Sequence, residues 1–199
     1  VQFWNSVTGT LQRTIYQTNQ TADVLSLAVN SSETQIFASG VDSRVICIER
    51  LPASDNTTPR DMSTDEWKLV GAQRPHSHDV RGLAIVSIPI SDSNNNIDSE
   101  SMLEVLVSGG VDTRMCGYET LSFTSKRPQT WYPWPFDSPI SNTFSEDIDD
   151  GDNSDTSGRR LLAINRSTGI ELFQCEKKVP VEPTLNRDVA PISTFRSQP

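Results

Sequence analysis

The string Ser39-Gly40-Val41-Asp42-Ser43-Arg44 returns as Gly109-Gly110-Val111-Asp112-Thr113-Arg114, and no other feature constrains the fold as strongly. Each copy is soon followed by a cysteine, Cys47 or Cys116. A second pair precedes them in the same order, Asp23-Val24-Leu25-Ser26-Leu27-Ala28 and Asp79-Val80-Arg81-Gly82-Leu83-Ala84. Both members alternate apolar and polar residues as a half-buried strand does. A whole structural unit has therefore been duplicated.

The unit reads as four strands. In the first copy Val24–Val29 is followed by Ile36–Ser39, a tight turn around Val41-Asp42, Val45–Glu49 and, after a polar loop, an outer strand near Trp67–Ala72. The second copy repeats this with Val80–Val86, Glu104–Ser108 and Met115–Tyr118, and carries an insert at Ser91–Ser101. A fainter third opens at Ile140, takes an acidic insert and resumes as Arg160–Ile164 and Ile170–Cys175; a fourth is expected to open at Ile192-Ser193-Thr194-Phe195. Successive first strands start 56, 60 and 52 residues apart. That exceeds the ~40–45 residues of a compact propeller blade, and the inserts account for the excess. Ahead of the first copy, Val1–Ser6 and Thr8–Leu11 have the form of the last two strands of a further unit around a Gly-containing turn.

With no helical periodicity anywhere, these features predict an all-β chain: a β-propeller segment of about three four-stranded blades with partial blades at both ends. The expected division is 1–16 for the last two strands of a preceding blade, then blades over 17–75, 76–135 and 136–188. The third holds a disordered acidic insert at 145–158, and 189–199 begins the next blade or an inter-propeller segment. The chain has no initiator methionine, so it is expected to be a segment of a longer protein.

Composition excludes more than it assigns. The apolar share is only 35%, because polar stretches at Asp92–Ser101 and Glu146–Ser157 dilute segments with ordinary core content. Of the 26 acids, Glu146, Asp147, Asp149, Asp150, Asp152 and Asp155 lie together, leaving 20 acids against 17 bases elsewhere, so the net charge of −9 specifies no partner. Three dispersed cysteines, Cys47, Cys116 and Cys175, suit neither a zinc site nor a disulfide framework and point to a reducing compartment. The triplets starting at Asn30, Asn56 and Asn165 match the glycosylation acceptor pattern and read as chance occurrences. No apolar run approaches the ~20 residues of a membrane span. Nor is there a phosphate loop, a nucleophile elbow or a tuned carboxylate pair, so neither an enzyme nor a cofactor or small-molecule substrate is expected.

Trp4-Asn5 resembles a degenerate Trp-Asp dipeptide of WD repeats, and the Ser-Gly-Val-Asp turns resemble the same family's turn between second and third strands. The succession "VQFWNSVTGTL", "ADVLSLAV", "HSHDVRGLA", "LVSGGVDTR" and "LLAINRSTGIELF" resembles the first propeller of the cirhin family, WD-repeat proteins of the small-subunit processome, and the long polar inserts resemble a fungal member. The resemblance implies a non-catalytic nucleolar scaffold in early pre-18S rRNA processing and small-subunit assembly, with support of rRNA transcription as a further expected role. It implies other WD-repeat and helical processome subunits as partners, and the 5′ external transcribed spacer of pre-ribosomal RNA, met directly or through neighbours. A peptide-binding WD-repeat adaptor in another nuclear or cytoplasmic complex is the alternative.

In WD repeats a buried hydrogen-bond chain links a His, a Ser/Thr, the turn Asp and an aromatic. The second unit offers His76, Ser108, Asp112 and Tyr118; the first keeps Asp42 but has Ile48 and Gln20 at the aromatic and His positions. His76 and His78 lack further ligands nearby for a metal. Arg44, Arg114, Arg81 and Arg74, with Lys68, are the candidates for a basic strip facing phosphates or acidic partners. Within Trp131–Phe136, Trp131 and Trp134 serve either an outer strand or a docking stripe.

Overall fold

The duplicated strings fall on the first strand, and on the turn between the second and third strands, of two antiparallel sheets. The structure, a computed structural model, describes residues 1–16, 22–51, 66–90, 101–132, 138–148, 159–166, 169–175 and 196–197. β1 (Gln2–Trp4) and β2 (Leu11–Thr14) form a two-stranded sheet. The first four-stranded sheet is β3 (Val24–Val29), β4 (Gln35–Gly40), β5 (Val45–Leu51) and β6 (Glu66–Gln73), paired in chain order. The second is β7 (Val80–Ile90), β8 (Ser101–Gly110), β9 (Met115–Glu119) and β10 (Gln129–Trp131), and the third β11 (Ile140–Ile148), β12 (Arg159–Arg166), β13 (Gly169–Cys175) and β14 (Arg196–Ser197). These are blades of the WD40 propeller type.

Three boundaries differ from the sequence reading. β7 and β8 pair from Ile90↔Ser101 inward, so the hairpin runs well past Val86 and Ile88 enters the core. β11 continues to Ile148 against Arg159, so Ser145–Ile148 extend a strand; the insert residues 149–158 lie outside the described residues. Arg196 and Ser197 pair with Gln174 and Phe173, which puts them in the outer position of the third sheet and beyond residue 188. The expected fourth start at Ile192–Phe195 lies outside the described residues.

Alternation makes each sheet two-faced, and the faces are buried against each other in three layers. Ala38, Ile46 and Ile48 of the first sheet pack with Val1, Phe3 and Ile15, and the Phe3 ring stacks on Trp67 at 5.2 Å. Phe37, Val45 and Cys47 point the other way and meet Leu83, Leu106, Tyr118 and Phe123 of the second sheet. Val86, Val107 and Met115 then meet Ile140, Leu162, Ile164 and Phe173 of the third.

Inner strands β3, β7 and β11 lie side by side, and one contact repeats between them. The Leu83 amide donates to Ser26 Oγ at 3.1 Å. One unit later the equivalent pair is Gly82 and Thr143, where a Cβ on Gly82 would lie 2.6 Å from Thr143 N. Ser145 Oγ also donates to the Ile85 carbonyl, so the neighbours satisfy backbone groups on the inner edge of β7.

The turns after β4 and β8 explain the repeated string. A Cβ on Gly40 would sit 2.0 Å from the Asp23 carbonyl oxygen, and one on Gly110 would sit 2.7 Å from Asp112 Oδ1 and 3.0 Å from the Asp79 carbonyl. Val41 N–H and Val111 N–H donate to those same two carbonyls, drawing each turn onto the start of its inner strand. The residues after the aspartates, Ser43 (φ 62°) and Thr113 (φ 64°), are left-handed, which a β-branched side chain resists. Thr113→Gly is therefore expected to raise stability by about 0.5–1 kcal/mol in denaturant unfolding; a loss would mean that the threonine side chain holds the turn.

Candidate functional site

The turn-bearing ends of the sheets gather most of the residues singled out by sequence. In the second sheet, His76 sits on the strand-connecting segment ahead of β7, Ser108 near the end of β8, Asp112 in the turn and Tyr118 on β9. His76 Nδ1 is 2.9 Å from Asp112 Oδ1, His76 Nε2 is 2.8 Å from Ser108 Oγ, and Ser108 Oγ is 3.2 Å from Tyr118 Oη. One proton arrangement uses every group. Tyr118 donates to Ser108, Ser108 to Nε2 of a neutral imidazole, and Nδ1–H to Asp112. Asp112 Oδ2 accepts from the Ser77 amide at 2.9 Å, tying the segment before β7 to the turn. Both imidazole nitrogens are thus engaged. Among the described residues no group of three or more His, Cys, Asp or Glu could hold a metal.

The flanking sheets replace this chain as a set. Strand register puts Ala38 and Ile48 of the first sheet where Ser108 and Tyr118 stand in the second, and Ile164 and Phe173 there in the third. All four are buried and apolar, so losing one polar partner has been matched by losing the other. Gln20 lies outside the described residues. Asp42 keeps its place in the first turn and accepts from the Arg44 amide at 3.2 Å. In the third sheet Arg166, 3% exposed, donates to the Ser138 carbonyl at 2.5 Å and so ties the end of β12 to the segment before β11. In the sequence Arg166 stands out only as the middle of a glycosylation triplet, and its place at the end of the second strand is the one signal of this role. Asn30, from another such triplet, is 5% exposed and its Oδ1 accepts the Thr34 and Gln35 amides, a turn-forming role that leaves no room for a glycan.

Burial holds the His76 imidazole below its ordinary pKa, although the hydrogen bond and charge of Asp112 pull upward. Burial would raise the Asp112 carboxyl, but His76 and the Ser77 amide bring it below the usual carboxylate range. Unfolded chains bind a proton below about pH 6.5 that the folded imidazole refuses, so His76 contributes stability above that pH which is lost on acidification. The Asp112 contribution persists until more acidic conditions and goes as pH falls through its folded pKa. Denaturant unfolding is expected to show stability falling between about pH 7 and pH 5, and His76→Gln to remove much of that slope; an unchanged slope would exclude His76 as its source.

The four arginines share the turn-bearing rim, but carboxylates accompany three of them. Arg44 Nε lies 3.9 Å from Asp42, Arg114 Nε 3.8 Å from Asp112 and Arg81 3.6 Å from Asp79. Arg114 also donates to the Pro75 carbonyl at 3.2 Å and covers the Tyr132 ring. Arg74 is exposed beside them. Lys68 is elsewhere: it pairs with Glu66 on β6, in register with Glu49 at the far end of the first sheet. The rim therefore presents interspersed charge, which suits protein partners better than an uninterrupted phosphate backbone. Trp131, half-buried on β10, packs against the core between the second and third sheets; Trp134 lies outside the described residues. Burial pushes the Cys47 and Cys116 thiols up to about 12 and about 11. Neither is expected to react with a thiol reagent at pH 8 before unfolding; rapid labelling of both in native protein would contradict their placement.

No family model matches the chain. Over 126 residues, 63% of the chain, it is 29% identical to U3 small nucleolar RNA-associated protein 4 of Schizosaccharomyces pombe. Over 115 residues, 58% of the chain, it is 29% identical to the Homo sapiens U3 small nucleolar RNA-associated protein 4 homolog. The chain spans only 14% and 13% of the lengths of these relatives.

Proposed function

We propose that this chain is part of a non-catalytic scaffold subunit of the small-subunit processome, the 90S pre-ribosome. It acts in the nucleolus, in early pre-18S rRNA processing and small-subunit assembly, and supports rRNA transcription. The observation that carries this reading is the partial similarity to two proteins named for association with U3 small nucleolar RNA, in a chain whose second blade has its buried His, Ser and Asp committed to holding a turn. Its partners are other WD-repeat and helical subunits of that particle, and the 5′ external transcribed spacer, reached directly or through them. The rim's paired charges favour protein contacts over RNA contacts. Affinity purification of the tagged full-length protein tests this: U3 RNA and pre-ribosomal RNA are expected in the eluate, whereas a complex lacking both would end the processome reading and leave the peptide-binding adaptor.

A further inference from the structure

Away from the turn-bearing rim, the other ends of the inner strands frame a groove of about 450 Å³. Leu83, Ala84, Ile85 and Ser87 of β7 form its floor, with Val29 of β3 and Phe144 of β11 among its walls. Val29 and Phe144, on the first and third sheets, are 50% and 52% exposed and leave apolar surface open on both sides of the groove. Glu104 is the single charged residue among the lining side chains. Its Oε1 accepts both the backbone amide (2.9 Å) and the hydroxyl of Ser31, while no described residue partners Oε2. Ser87 and Ser145 add hydroxyl oxygens to the same lining.

The geometry points to a docking slot for one lysine side chain of a partner protein. An aliphatic stem suits the apolar floor and walls, and a positive tip suits the carboxylate. Lysine is favoured over arginine because one carboxylate oxygen is already held by Ser31, so a planar guanidinium cannot engage both. A compact ammonium with three donors can use Oε2 and the serine hydroxyls. The slot is separate from the arginine rim and does not depend on the processome reading.

The test is a titration of the full chain with a capped Gly-Lys-Gly peptide, followed by amide chemical shifts. Shifts at Ser31, Ser87 and Ser145 are expected, with the ε-acetylated peptide and the Glu104→Gln variant each weakening binding at least about tenfold. Because Glu104→Gln could disturb the Ser31 turn, Phe144→Ser on the exposed wall is the second variant, and it too should weaken binding. Equal binding of the arginine or acetylated peptide, unchanged affinity in both variants, or no shifts at these serines would each overturn the proposal.

Discussion

Phe37→Ala is expected to remove about 3–5 kcal/mol of stability, because its cavity would open between two sheets that cannot both relax into it. Phe37 is fully buried, its ring 5.4 Å from Phe123, which in turn lies 5.3 Å from Tyr118. Phe123 reaches this layer from the connection between β9 and β10, and Gln73 of β6 donates to its carbonyl. The aromatic trio therefore couples the first sheet to the second through both side chains and backbone. Leu27→Ser, on a 53% exposed side chain of the same blade, should change stability by no more than about 0.5 kcal/mol. Denaturant unfolding of the two variants checks the contrast. Similar losses would mean that the face carrying Leu27, and not the layer around Phe37, holds the sheets.

His76→Ala carries the second large effect, about 3 kcal/mol, since it leaves Asp112 Oδ1 and the Ser108 hydroxyl short of a partner in a buried setting. Ser108→Ala breaks two links, to His76 and to Tyr118, and Tyr118→Phe breaks the second of these alone. Their combined cost is expected to fall short of the sum by about 1 kcal/mol, because the second change removes a group already orphaned by the first. Strict additivity would show that the three groups act independently. The flanking sheets provide the natural comparison, with Ala38 and Ile48, and Ile164 and Phe173, at the same register.

Sequence reading reached the repeated elements because their signals are local. Alternation marks β3 and β7, and Gly40 and Gly110 mark turns where a carbonyl lies too close for any Cβ. The polar chain from His76 to Tyr118 was assembled from the family pattern, and its residues do meet in space. What escaped was set by long-range pairing. Whether Ser145–Ile148 join a strand depends on how far β12 extends opposite them, and the place of Arg196–Ser197 depends on the free edge of β13. The basic strip likewise looked stronger in sequence, because which aspartate lies beside which arginine depends on how the chain turns back. Arg166 and the Glu104 groove carried no linear motif, since each acquires meaning only from neighbours many residues away.

Side-by-side packing of β3, β7 and β11 underlies every layer described, and nuclear Overhauser contacts across the inner strands test it most directly. The Leu83 amide is expected to show contacts to the Ser26 β-protons and slow hydrogen exchange. A fast-exchanging Leu83 amide with no Ser26 contact would contradict the stacked-blade arrangement.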